Sequence, residues 1–130
     1  GKLDGKLYDY YEDGQLKSQE DIKDGKEDGK WVYWYANGQI SSQRIYKDGK
    51  LDGKLYDYYE DGQLKSEENF KDGKEDGTWV YWYADGQKSS QRIYKDGKLD
   101  GKLYDWYEDG DIESEKTWQN GGCVSGDCPD

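Results

Sequence analysis

The chain has 130 residues, of which 38% are charged and 32% hydrophobic, and its formal charge is −11. That excess of carboxylates argues against nucleic acid and against docking on anionic lipid, both of which need clustered Lys and Arg. With no apolar run near the ~20 residues that span a bilayer, no transmembrane helix is expected.

The balance of charge over apolar content would suit a disordered chain. Fourteen Tyr, six Trp and one Phe argue otherwise, because they recur at fixed positions and each can bury a large area. Gly1, Gly25, Gly49, Gly73, Gly97 and Gly121 share one phase of a 24-residue period. Gly5, Gly29, Gly53, Gly77 and Gly101 share a second, and Gly14, Gly38, Gly62, Gly86 and Gly110 a third. Residues 1–120 therefore read as five tandem units, and residues 121–130 as a C-terminal capping tail. Residues 1–48 and 49–96 differ at six positions, so units of two types alternate: GKLDGKLYDYYEDGQLKS from Gly1, and GKEDGKWVYWYANGQISS from Gly25. The chain starts in phase with its repeat and carries no visible signal peptide, as a mature product or an excised piece of a longer protein would.

Each unit holds two strand-like runs. In the first unit these are Lys6–Glu12, closed by Asp13-Gly14, and Gln15–Lys23, closed by Asp24-Gly25. Asp-Gly and Asn-Gly predict type I′ hairpin turns, where both central residues take positive φ. The same signal recurs at Asn37-Gly38, Asp61-Gly62, Asp85-Gly86 and Asp109-Gly110. Pairing across Asp13-Gly14 sets Tyr11 opposite Leu16, Asp9 opposite Ser18 and Leu7 opposite Glu20. Alternation then gathers Leu7, Tyr11, Leu16, Ser18 and Ile22 on a first face, with Trp31, Tyr33, Tyr35, Ile40, Ser42 and Tyr46 from the second unit. The second face carries Tyr8 and Tyr10, then Val32, Trp34 and Ile45. The expected fold is all-β: an elongated, single-sheet antiparallel meander of 24-residue hairpins. Helix is disfavoured by the interior glycines, each costing about 1 kcal/mol there.

Four constellations invite a chemical reading. Asp24 and Asp28, with their copies, sit in DGKxDG loops, where a turn role is preferred over calcium because too few oxygens converge. Glu20, Arg44, Glu68, Arg92 and Lys116 occupy equivalent positions and predict an ion-pair ladder that sets register. Tyr10, Trp34, Tyr58, Trp82 and Trp106 form an aromatic row on the second face, beside Tyr8, Tyr56 and Tyr104. Such a row would pack against itself, contact a partner, or stack on sugars or a quaternary ammonium. Cys123 and Cys128 stand where the repeat fails; two thiols without His make half a zinc site, so a disulfide closing a short loop near Trp118 is expected. That bond implies a secreted or cell-surface location, with free thiols in the cytoplasm as the alternative.

The spaced glycines, Asp-Gly turns and aromatics of KDGKEDGKWVYWYANGQISSQRIYKDGK (residues 23–50) resemble MORN repeats, most closely the variant of bacterial antitoxin-like proteins. The resemblance covers residues 1–120. It implies a hairpin array serving as a scaffold, a lipid contact or a partner-binding rod, with an antitoxin role as one form of partner binding. The acidity of this chain argues against the lipid option. No His is present and no nucleophile motif is seen, so neither an enzyme nor a cofactor is expected. The expected function is a non-enzymatic scaffold for protein–protein interaction or a surface structural element. The alternatives are a glycan- or choline-type binding module using the aromatic row, and a fibre subunit assembling through edges at Lys2-Leu3 and Trp118.

Overall fold

A computed structural model describes residues 3–129, so Gly1 and Lys2 lie outside the described residues. The strands are β1 (Gly5–Tyr10), β2 (Leu16–Lys23), β3 (Lys26–Trp34), β4 (Ile40–Lys47), β5 (Lys50–Leu51), β6 (Gly53–Tyr58) and β7 (Leu64–Lys71). After these come β8 (Lys74–Glu75), β9 (Gly77–Trp82), β10 (Lys88–Lys95), β11 (Lys98–Leu99), β12 (Gly101–Trp106), β13 (Ile112–Gln119) and β14 (Gly122–Gly126). All belong to one antiparallel sheet in the order β1-β2-β3-β4-β6-β7-β9-β10-β12-β13-β14, with β5, β8 and β11 as short pairs on β4, β7 and β10. No helix occurs among the described residues. The expected all-β meander is the observed architecture.

Two kinds of turn join the strands, and only one has the expected type I′ form. Asp24, Asp48, Asp72, Asp96 and Asn120 take positive φ between 48° and 52°, each followed by a glycine that does the same. Both central residues are thus left-handed, which Asp and Asn tolerate better than other side chains. At Asp13-Gly14 and its copies only the glycine is left-handed. There Gly14 N–H donates to Tyr11 O at 2.9 Å, Tyr11 N–H donates to Gln15 O at 2.8 Å, and Asp13 Oδ1 accepts from Gln15 N–H at 3.0 Å. The loop is longer than two residues, and Asp13 serves it with its carboxylate.

That difference moves the register by one. Asp9 faces Ser18 and Leu7 faces Glu20 as expected, but a bulge between Asp9 and Tyr10 sets Tyr10, not Tyr11, opposite Leu16. The same bulge recurs before Trp34, Tyr58, Trp82 and Trp106. Directly opposed residues share a face. Leu16 and Ile40, expected on the first face, therefore accompany the second-face aromatics.

A second irregularity divides successive hairpins. Glu20 pairs with Trp31 and Ile22 with Glu27, so three residues of β3 oppose Asp21 alone. Gly29 absorbs the bend at φ +110°, and a Cβ there would lie 2.9 Å from Asp21 Oδ2. Both constraints require glycine at this point.

The sheet is one layer thick, and its best-buried side chains lie on both faces. Leu55, Trp79 and Leu103 are buried on the first face together with Ser18, Ser42, Ser66 and Ser90; Val32 and Val80 are buried on the second. Trp31 packs on Tyr46, and Trp79 on Tyr94, with ring centroids 4.8 Å apart in both cases. Trp31 and Trp79 donate their indole N–H to the carbonyls of Asp21 and Asn69 at 2.9 Å, which removes the cost of burying that polar atom.

Candidate functional site

Most repeated polar residues hold hairpin to hairpin. The phenols of Tyr11, Tyr35, Tyr59 and Tyr83 donate to the carbonyls of Trp34, Tyr58, Trp82 and Trp106, at 2.5 to 2.6 Å. Each tyrosine thus leaves its own turn and fastens the last residue of the first strand in the following hairpin. The loop carboxylates do similar work: Asp4, Asp28, Asp52, Asp76 and Asp100 accept from the backbone N–H of Asp24, Asp48, Asp72, Asp96 and Asn120, at 3.1 to 3.3 Å. Those oxygens are engaged by amides, and no three His, Cys, Asp or Glu side chains converge as a metal site among the described residues.

The expected ladder of ion pairs takes another form. Glu20 accepts from the Tyr33 hydroxyl at 3.4 Å and Glu68 from the Tyr81 hydroxyl at 3.2 Å. Arg44 lies over the Tyr33 ring and Arg92 over the Tyr81 ring, at 5.2 and 5.5 Å from the centroids. Each Arg also donates to the serine two residues before it, at 3.0 Å. A tyrosine therefore stands between the acid and the base, bound to one through its hydroxyl and to the other through its ring. Burial, then Glu20, pushes the Tyr33 phenol up to about 12. Burial likewise raises the Glu68 carboxyl, against the opposing pull of the Tyr81 hydrogen bond. The ion pairs within 4 Å among the described residues belong to the second face: Lys6–Asp21, Lys54–Glu67 and Lys102–Glu115.

The aromatic row runs across the second face at one residue per hairpin. Tyr10 is 60% exposed and Tyr8 47%, whereas Trp34, Tyr58, Trp82 and Trp106 are half-buried. Successive members sit two strands apart, about 9.6 Å at the usual strand spacing. Within a strand, Tyr56 and Tyr58 lie 6.4 Å apart, while Tyr104 and Trp106 stack at 5.6 Å and 24°. The row is neither sealed nor fully open: Tyr10 is exposed, and its four later members each keep part of their surface in solvent. Its backbone is committed as well, since four of its five carbonyls receive the tyrosine ladder. Lys88, one of the six positions that break the repeat, lies in the same region, and its singularity was the signal that could have marked it.

In the tail, Cys123 and Cys128 form the expected disulfide, with Cα atoms 5.7 Å apart. β14 pairs along β13 with Cys123 opposite Trp118. Asp127 then closes on the same strand, donating its N–H to Glu115 O at 2.8 Å and accepting from Glu115 N–H at 3.0 Å. Its carboxylate and amide together satisfy the β13 edge where a further strand would otherwise pair.

A family model described as "MORN repeat variant" matches residues 3–24, 27–48, 51–72, 75–96 and 99–120. A search of curated proteins returns no match. Among solved structures, the crystal structure of accessory secretory proteins 1, 2 and 3 of Streptococcus pneumoniae is similar at 19% identity and a TM-score of 0.42. That similarity covers 81% of this chain and 19% of the other.

Proposed function

Because the chain belongs to the MORN repeat variant family, whose repeats serve as scaffolds in protein or membrane contact, we propose that it is a non-catalytic scaffold that engages a protein partner. The observation that carries this reading is the inter-hairpin ladder. Four of the five recurrent turn tyrosines and the recurrent loop aspartates hold one hairpin to the next, and each recurs several times, whereas catalysis needs one singular constellation. What remains for a partner is the second face, with Tyr10, Trp34, Tyr58, Trp82 and Trp106 as contact residues and Tyr8, Tyr56 and Tyr104 beside them. A charge of −11 favours a basic protein over an anionic membrane. Neutralising a toxin, as an antitoxin does, is one form such binding takes. The disulfide supports an oxidising compartment, outside the cell or at its surface.

The test is retention of partners on the immobilised chain at two ionic strengths. The reading requires a stoichiometric protein partner whose retention falls as salt rises from about 0.01 to about 1 M, which shortens the screening length from about 30 to about 3 Å. Retention of anionic vesicles in place of any protein would overturn it.

A further inference from the structure

One junction between hairpins departs from the others. The residue after each turn glutamine is Leu16, Ile40, Leu64 and Lys88 in successive units, and Ile112 follows Asp111 in the last. Leu16, Ile40 and Leu64 are half-buried, but Lys88 is exposed. The setting is otherwise repeated. A Cβ on Gly38, Gly62, Gly86 or Gly110 would lie 3.8, 3.1, 3.4 or 3.0 Å from the amide oxygen of the preceding unit's turn glutamine. An aliphatic side chain thus stands half-buried at this corner at three junctions. At the fourth, Gln87, Lys88, Trp106 and Gly110 line an open depression of about 330 Å³ on the surface, room for one ring of a ligand that stays partly in solvent.

The lining defines the ligand. Trp106 supplies a flat floor whose orientation is fixed by its stack on Tyr104. The Lys88 ammonium already donates to Gln91 Oε1 at 3.0 Å and keeps two further N–H donors. The Gln87 amide offers both donors and an acceptor. A cation would meet the Lys88 charge. An anion would approach a chain whose formal charge is −11. We propose that this junction binds one neutral sugar ring of a glycan, its C–H face on Trp106 and its hydroxyls on Lys88 and Gln87. Its floor, Trp106, belongs to the repeated row, but Lys88 makes the corner singular, and the sugar site does not require the protein partner proposed above.

The test is nuclear magnetic resonance titration of the full chain with chitotetraose, a neutral glycan whose equatorial substituents leave the ring faces apolar. Saturable shifts confined to the Trp106 indole N–H, the Gln87 amide and Lys88 are expected, with affinity in the millimolar range or tighter. Lys88→Ile installs the residue already present at Ile40, so it places an aliphatic side chain at the corner without threatening the fold. It should keep or raise the melting temperature and reduce binding at least tenfold. The proposal fails if wild type shows no shift, if Lys88→Ile binds as well as wild type, or if Trp34 and Trp82 respond equally. None of these outcomes bears on retention of a protein partner, so the two readings fail separately.

Discussion

A tyrosine hydroxyl beside a turn does more here than cap its own hairpin. Tyr59 reaches the carbonyl of Trp82 at 2.6 Å, so removing only its oxygen isolates the strength of one inter-hairpin bond. Tyr59→Phe is expected to cost about 1 kcal/mol in urea unfolding, the usual net worth of such a bond. Tyr107→Phe should be nearly neutral, since Tyr107 is 50% exposed and has no following hairpin to hold among the described residues. Tyr59→Ala also removes a half-buried ring and should cost more, toward the lower end of about 3–5 kcal/mol. Equal effects for the two Phe variants would refute the ladder as a source of stability.

Tyr33 gives the same scale a pH dependence. Its phenol is raised from 10.0 to about 12 by burial and by Glu20. The folded state therefore holds this proton more tightly than the unfolded chain does. The resulting stability is fully present below the unfolded value and is lost as pH climbs through the folded one. Alkaline destabilisation is expected between about pH 10 and 12, and at lower pH for wild type than for Glu20→Gln, which keeps a hydrogen-bond acceptor but removes the charge that disfavours the phenolate. Phenolate absorbance at the two ends of the transition checks both points.

At the scale of elements, the hairpins were legible in the sequence but their geometry was not. Asp-Gly marks both kinds of turn, and nothing in those two residues distinguishes the left-handed Asp24 from Asp13, which keeps negative φ. The difference lies in what surrounds them. Lys23 and Lys26 pair directly across Asp24-Gly25, whereas Tyr11 and Gln15 bracket a longer loop. Because the longer loop shifts register by one, Leu16 and Ile40 change face, and with them the residue that Lys88 replaces. The candidate row itself was readable, since alternation places Tyr10 and Trp34 correctly. The depression beside Trp106 was not, because it arises between two hairpins and is visible only once their offset is known.

The tail is an element whose role can be tested directly. Gly126 takes φ +87°, and a Cβ there would lie 2.2 Å from Glu115 O. Gly126→Ala should therefore lift Asp127 off the edge of β13. Reducing the Cys123–Cys128 bond should loosen the same closure by restoring freedom to a short loop, a stabilisation of at most about 2–3 kcal/mol in the chain-entropy picture. In both cases the Glu115 amide is expected to exchange its hydrogen faster, while amides of the central strands β6 and β7 keep their protection. Unchanged exchange at Glu115 after reduction would show that the pairing of β14, not the disulfide, holds the closure.

At the scale of the molecule, stability is built from neighbours. No large side chain is fully buried among the described residues, so there is no central core whose loss unfolds everything at once. Each hairpin instead rests on the tyrosine, aspartate and strand pairing it shares with the next. Residues 1–48 and 49–96 present nearly the same surface to the adjoining hairpin, because they differ at six positions. Deleting residues 49–96 joins Asp48 to Gly97 in phase, so the first pair of units meets the last through an interface the native array already uses. The shortened chain should fold as an antiparallel sheet and unfold cooperatively. Its dependence on urea should fall by roughly a third, in line with the surface removed, since that slope scales with exposed area. If the shortened chain fails to fold, some contact beyond nearest neighbours is essential. If it folds with an unchanged slope, the unfolding unit is smaller than the array, and each pair of hairpins stands alone.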